Sequence, residues 1–389
     1  MTFKNFIKKV HLWLGLSSGL IVIILGITGC LYAFEEELRP IVHDYYYVDQ
    51  VKSQKLPISR LLEIAQEKNK KINPNQILSG CRTISDDKRT VIIWFFEELD
   101  KDAVWYWNRY QSTYFYMDPY TGNIEEIEDY NFEFFVFIRM LHQTLCLNST
   151  IGDPIVGTAT IIFIISLITG LVLWWPKNKQ AAKQRFWFRW KNTTQWKRKN
   201  YDLHNIMGFY MMIFALILAL TGLVWAFECY DKGVQWLFNG GKTYEREKIV
   251  SDTSQYNQNN PADKIYAATK QLEPNAKSYY LFLPKADDSL AVFQTFVRYE
   301  NRFNDVSMQF DRYTAKPLKI TTYDDKNNGE KFRFINYDLH VGSILGFPGK
   351  VLAFFASLVC ASLPVTGFLI WWGRNNKKKK TPSKEKTVK

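Results

Sequence analysis

Apolar residues in this chain are gathered into four stretches, at 12–34, 155–175, 206–227 and 351–372, each 21 to 23 residues long and free of Asp, Glu, Lys, Arg and His. At about 1.5 Å per residue, a helix of that length crosses a hydrocarbon core of about 30 Å. The pattern therefore predicts four membrane-spanning helices. Two long polar segments, 35–140 and 228–339, lie between the spans and lower the average hydropathy of the 389-residue chain. In the first, helical periodicity covers 57–70, and β-rich runs separated by turns cover 76–124. The second repeats this plan with a helix at 262–272, so each segment reads as a small α+β domain.

Charge changes the picture through its distribution. The total of +12 hides three short segments, 1–10, 176–203 and 373–389, which hold 3, 9 and 8 Lys/Arg against only Asp202 and Glu385. The rest of the chain carries −6. Short basic loops alternating with long, mildly acidic segments follow the positive-inside rule, which puts both termini and the 176–203 loop in the cytoplasm. The run Lys377 to Lys380 then anchors the tail near anionic lipid and gives no reason to expect a nucleic-acid partner. The first span is too long for the apolar part of a signal peptide and continues past Cys30. The five cysteines are scattered singly, without a C-x-x-C motif, so neither zinc, covalently attached haem nor a disulfide framework is indicated. Cys81 and Cys146 fall on the outer side, where a bond between them is chemically open.

The chain contains an internal repeat. His11 and Gly15 precede Thr28-Gly29 and Phe34-Glu35, with the same spacing as His204 and Gly208 before Thr221-Gly222 and Phe227-Glu228. Leu141-His142 leads to Thr169-Gly170 and Trp174-Trp175, as Leu339-His340 leads to Thr366-Gly367 and Trp371-Trp372, with one residue of difference in the first interval. Each copy holds two spans, an even number, so both enter the membrane in the same direction and equivalent residues share a depth. The expected order is a cytoplasmic start and first span at 1–34, a first outer domain at 35–140 and an outer histidine with the second span at 141–175. A basic loop at 176–203 and the third span at 204–227 follow. The second outer domain at 228–339, an outer histidine with the fourth span at 340–372 and a basic tail at 373–389 complete it.

These motifs resemble a known family. His-Leu-Trp-Leu-Gly at 11–15, the two Leu-His pairs, the four Thr-Gly steps, Leu-Trp-Trp-Pro at 173–176 and Asp-Pro-Tyr-Thr-Gly at 118–122 are similar to those of the PepSY-associated transmembrane proteins, over nearly the whole chain. The resemblance implies a multi-pass protein of the bacterial inner membrane with PepSY-like outer domains. It also implies an iron-regulated oxidoreductase that reduces ferric siderophores. An Asp followed by Tyr-Thr at a strand end is a turn-forming cluster. In the second domain Arg312 and Ala315 replace the turn Pro and Gly, and a looser hairpin is expected there.

Four of the five histidines, His11, His204, His142 and His340, occupy repeat-equivalent positions at the span boundaries. Two helices entering in parallel can present one imidazole each to a single iron. Bis-imidazole ligation gives a six-coordinate haem that carries electrons. About two b-type haems are therefore expected, with His11 and His204 at the cytoplasmic face and His142 and His340 at the outer face. Gly15 and Gly208 follow a ligand by four residues, on the same helix face, and leave room for a flat porphyrin. The Thr-Gly steps read as small residues that let helices approach closely. Histidines that only anchor helix ends, or bind copper or zinc, are the competing readings. Aromatic neighbours such as Trp13, Phe209, Phe347 and Trp225 suit a porphyrin better than a bare cation. His43 has no counterpart in the second half and reads as an exposed residue.

One haem near each face forms a path for electrons across the bilayer. No dinucleotide fingerprint is present, so a cytoplasmic flavoprotein reductase or the quinol pool must supply the electrons. Arg82, Arg139, Lys242, Lys331 and Arg333 are candidates to attract an anionic chelate, and an aromatic-rich strand with Trp94, Phe95, Trp105, Tyr106 and Trp107 to stack on it. The alternative of another class is a non-enzymatic membrane protein whose outer domains bind peptide or regulate a protease. Transport of the chelate itself is disfavoured by spans without charged residues.

Overall fold

The computed structural model describes residues 1–176, 178–245, 247–255, 261–285 and 287–379; the basic tail from residue 380 onward lies outside the described residues. Four helices are long and apolar enough to cross a membrane: Phe3–Tyr32, Ser149–Trp174, Trp196–Ala226 and Ser343–Asn375. Each is lined all round by apolar side chains, as lipid on one side and protein on the other require. The first and third helices start well before their uncharged stretches, at Phe3 and Trp196. His11 and His204 therefore sit two turns inside continuous helix, not at its start. Backbone hydrogen bonding continues into the polar interface, where charged side chains are solvated and the helix has no reason to stop.

The spans form a ring in which the first packs on the second and fourth, and the third also packs on the second and fourth. The first and third thus face each other across the bundle. Small residues set the close contacts: a Cβ added to Gly26 of the first span would meet Ala361 Cβ of the fourth at 2.7 Å. One turn of the third span is π-helical, over Leu203–Met207, and carries His204. Such single-turn bulges re-aim a side chain within an otherwise regular helix.

Two shorter helices cap the same end of the bundle. Phe134–Thr144, which carries His142, packs on the first and second spans, and Asn328–Val341, which carries His340, packs on the third and fourth. Their starts are specified locally. The Glu133 carboxylate accepts from Val136 N at 2.9 Å, and Asn327 forms a capping box with Glu330. Their ends differ. Leu145 and Cys146 turn the chain into the second span at φ 56° and 61°, whereas Gly342 makes the corresponding turn at φ 82°. Glycine adopts that left-handed geometry freely, and Leu145 and Cys146 do so at a steric cost.

The two polar segments do not form separate domains. Each supplies a helix, Ile58–Ile72 or Ala262–Leu272, and four antiparallel strands. The strands β1 (Ile77–Ile84), β2 (Val91–Glu98), β3 (Tyr110–Met117), β4 (Ile124–Asp129), β5 (Ser278–Phe282), β6 (Phe293–Arg298), β7 (Val306–Phe310) and β8 (Pro317–Thr321) join in one sheet, ordered β4-β3-β2-β1-β5-β6-β7-β8. The seam is the antiparallel β1–β5 pair, with Arg82 opposite Tyr280. Pairing those edges removes two rows of open backbone groups that separate domains would expose. A single core, from Leu61, Phe95 and Phe115 to Ile265, Leu281 and Phe310, fills the space between the sheet and its two helices.

Several expectations change at this level. Trp105, Tyr106 and Trp107 are not in a strand: Tyr106–Arg109 is one helical turn, with Trp105 and Trp107 stacked 5.0 Å apart. Cys81 and Cys146 are both free and buried, Cys81 inside the sheet core and Cys146 at the turn into the second span. The second hairpin turn is no looser than the first. Asp118 accepts from Tyr120 N and from the Thr121 hydroxyl, and Asp311 likewise accepts from Tyr313 N, Thr314 N and the Thr314 hydroxyl. The aspartate organises both turns, so Ala315 is held at φ 61° where the first turn has Gly122 at φ 77°.

Candidate functional site

The four repeat-equivalent histidines come together as two pairs at opposite ends of the bundle. His11 and His204 lie at the end away from the sheet, with ring centroids 6.4 Å apart and planes at 79°. On the sheet side the rings of His142 and His340 lie 6.1 Å apart at 70°. Two imidazoles that each held one metal ion through a bond of about 2 Å, with about 1.1 Å from ring centre to nitrogen on either side, would stand about 6.2 Å between centroids. Both pairs match that spacing with no movement of the chain. The members of each pair come from opposite sides of the bundle, so a group held between them is clamped by both halves of the sequence.

Each ring is also fixed in orientation. His11 Nδ1 is 3.0 Å from Thr169 Oγ1 and 3.0 Å from the Ser166 carbonyl, and the other three histidines place Nδ1 2.9 Å from a threonine hydroxyl, His142 on Thr28, His204 on Thr366 and His340 on Thr221. The glycine after each threonine receives the ring itself. An added Cβ would stand 3.2 Å from Cε1 of His11 at Gly170, 3.5 Å from that of His142 at Gly29, 3.2 Å from that of His204 at Gly367 and 3.4 Å from that of His340 at Gly222. The Thr-Gly steps are therefore more than small packing residues. Their signal in the sequence is numerical: four such steps, one per span, accompany four boundary histidines. Gly15 has open space where a Cβ would be, and Gly208 faces Leu363 at 3.2 Å.

On the sheet side the histidine pair opens into a cavity of about 940 Å³, near the upper end for small-molecule sites. Its inner part is apolar, with Leu25, Val156, Phe163, Leu218 and Ala353. Its roof is the face of the sheet opposite the core and is basic and aromatic, with Arg82, Arg89, Arg298, Tyr114 and Tyr280; Arg139 lies one turn before His142. Arg298 is paired with Asp305 at 3.3 Å and Arg302 with Glu36 at 3.8 Å. Among the described residues, no carboxylate pairs with Arg82, Arg89 or Arg139. Arg82 instead lies over the Tyr280 ring at 5.1 Å, and Arg89 over Tyr47 at 4.8 Å. Burial pushes the His142 imidazole down to about 4 and, with the neighbouring His142 ring adding to burial, His340 down to about 3. Both are neutral imidazoles at physiological pH.

Other candidates fall elsewhere. Lys242 and Lys331 do not line this cavity, and Arg333 is paired with Asp231 at 3.1 Å in a smaller pocket. Tyr106 lines the cavity, Phe95 is core, and Trp94 packs on Tyr114 and Phe282. Trp225 lies against His340 at 5.1 Å. Trp13 and Phe347 are 68% and 63% exposed, Phe347 lying against the Phe34 ring at 5.8 Å, and Phe209 stacks on Trp174 at 3.7 Å. His43 is half-buried, 3.7 Å from Glu133, and not exposed as its isolated position in the sequence suggested, because Tyr45, Tyr46 and Glu133 lie against it.

The donor set suits haem iron better than a bare cation: two imidazoles per site, an apolar inner wall on the sheet side, and no group of three or more His, Cys, Asp or Glu arranged for a metal among the described residues. No curated protein matches the chain significantly. The model of one family, the PepSY-associated TM region, matches residues 8–374, and the chain is a membrane protein that belongs to that family.

Proposed function

We propose that the chain is a di-haem electron-transfer protein of the bacterial inner membrane, reducing a ferric chelate of the siderophore type on the sheet side with electrons delivered from the other side. The observation that carries this reading is the presence of two histidine pairs, each at bis-imidazole spacing, at opposite ends of one bundle. Haem held by His11 and His204 at one end and by His142 and His340 at the other would supply one-electron iron chemistry near each face.

The residues around the pairs divide the remaining work. The basic segments at 1–10 and 176–203 assign the His11/His204 end to the cytoplasm by the positive-inside rule, which puts the sheet outside. There Arg82, Arg89 and Arg139 offer positive charge without carboxylate partners among the described residues, which favours an anionic chelate. One electron taken up by chelated Fe(III) gives Fe(II), which hard oxygen ligands hold more weakly. Electrons enter from a flavoprotein or from quinol, because the chain has no dinucleotide-binding motif of its own.

Inverted vesicles test this directly. A reductant confined to the cytoplasmic face should reduce ferric chelate enclosed in the lumen. His340→Ala should abolish that transfer while the His11/His204 centre stays reducible, and His43→Ala should change neither. Chelate reduction that survives His340→Ala would overturn the reading, and a colourless protein that binds peptide would return it to the non-enzymatic class.

A further inference from the structure

The histidines share a feature that bis-imidazole ligation alone does not demand: each Nδ1 meets a threonine hydroxyl that is already engaged. Thr28 Oγ1 donates to the Ile24 carbonyl at 2.7 Å, Thr169 to Ile165 at 2.8 Å, Thr221 to Ile217 at 2.6 Å and Thr366 to Ser362 at 2.8 Å. A hydroxyl has one hydrogen and two lone pairs. With the hydrogen directed at its own helix, the oxygen offers the imidazole only a lone pair. The hydrogen between the two side chains must then belong to Nδ1. For His11 the same conclusion follows independently, because Ser166 O, 3.0 Å from Nδ1, is an acceptor and nothing else.

We infer that Thr28, Thr169, Thr221 and Thr366 are positioning residues that hold His142, His11, His340 and His204 as the Nδ1–H tautomer and so aim a bare Nε2 lone pair at the iron. The placement of the hydrogen rests on geometry alone; its consequence for iron rests on the haem reading above. Histidine ligands commonly donate Nδ1–H to a carboxylate, which drives the ring toward imidazolate and strengthens its donation to the metal. Here the acceptors are neutral, a threonine hydroxyl for every ring and the Ser166 carbonyl as well for His11, and no Asp or Glu hydrogen-bonds any of the four rings among the described residues. The arrangement fixes tautomer and ring angle while leaving the imidazole a moderate donor. It also avoids placing an ionised carboxylate among apolar helices, where it would lose its hydration.

The pairing is internal to each half and crosses between spans. The second span orients His11 and the first span orients His142, so each threonine acts on one centre only. Thr28→Val keeps the shape and removes the acceptor. In the full-length protein it should raise the reduction potential of the sheet-side haem and weaken its retention about 10–100-fold, leaving the other haem unchanged. Thr366→Val, which acts on His204, should do the converse, and Thr28→Ser should restore wild-type behaviour. A folded Thr28→Val protein with both potentials and both haem affinities unaltered would overturn the inference. If the wild type holds no haem, the proposed function has failed and the tautomers are read from ¹⁵N shifts of labelled histidine. Four rings protonated at Nδ1 would sustain the threonine assignment, and Nε2–H rings would refute it.

Discussion

His142 and His340 stand on helices that pack against opposite sides of the bundle, yet their rings lie 6.1 Å apart at 70°. His11 and His204 repeat that relationship at the far end, 6.4 Å apart at 79°. Thr28, which touches His142, follows His11 by 17 residues on the same helix, so the two pairs are about 25 Å apart along the bundle.

That separation makes the sites independent. His204→Ala should remove one haem and leave the sheet-side one with its spectrum intact, and His11→Ala should have the same effect as His204→Ala. A common spectral loss in His11→Ala and His142→Ala would mean that the pairing is wrong.

The buried sheet-side imidazoles impose a pH dependence on stability. Their folded values, about 4 for His142 and about 3 for His340, lie below the unfolded value of 6.5, so below that pH the unfolded chain takes up protons that the folded chain refuses. Their contribution is full above pH 6.5 and is lost as pH falls through it, by up to about 1.4 kcal/mol per pH unit for each ring. In haem-free protein, thermal unfolding between pH 7 and 4 should show a steeper fall for the wild type than for a His142→Gln/His340→Gln variant. Equal slopes would show that the rings do not titrate as their burial requires.

Arg82 gives a prediction about the acceptor. Arg82→Gln should raise KM for an anionic ferric chelate about tenfold, the effect of losing one charged hydrogen bond of about 1.4 kcal/mol, without changing haem content. Lys331→Gln, outside the cavity, should leave KM alone. Equal effects of the two substitutions would point to general surface charge, not to the cavity.

Ala315 holds φ 61° in a turn organised by Asp311. Ala315→Gly should relieve left-handed strain of about 1–2 kcal/mol at an entropic cost of about 0.4–1 kcal/mol. The denaturant midpoint of the sheet should therefore rise by the equivalent of about 0.5–1 kcal/mol. A fall would show that the alanine methyl is needed for packing.

Much of this architecture was legible in the sequence because its signals are local or repeated. Uncharged runs mark the spans, and matched intervals from His11 to Thr28 and from His204 to Thr221 pair the histidines by depth. What escaped is non-local. Fusion of the two polar segments depends on β1 meeting β5, two edges separated by nearly 200 residues, and no periodicity reports which edge pairs with which. The cavity roof follows from that fusion, so Arg298 and Tyr280 could not be recognised as neighbours of Arg82. The Thr-Gly steps were visible but read as helix packing. Their hydroxyls act on rings from other helices, with Thr169 reaching His11 across 158 positions. His43 failed for the complementary reason: isolation in the sequence says nothing about which helices cover a residue.

The most direct test of the central claim is the absorption spectrum of the purified protein before and after dithionite, with a pyridine haemochrome assay of stoichiometry. The paired histidines predict about two b-type haems per chain, extracted by acidic acetone and low-spin in both oxidation states. A protein that holds no haem, or one whose haem is retained covalently, would contradict the account.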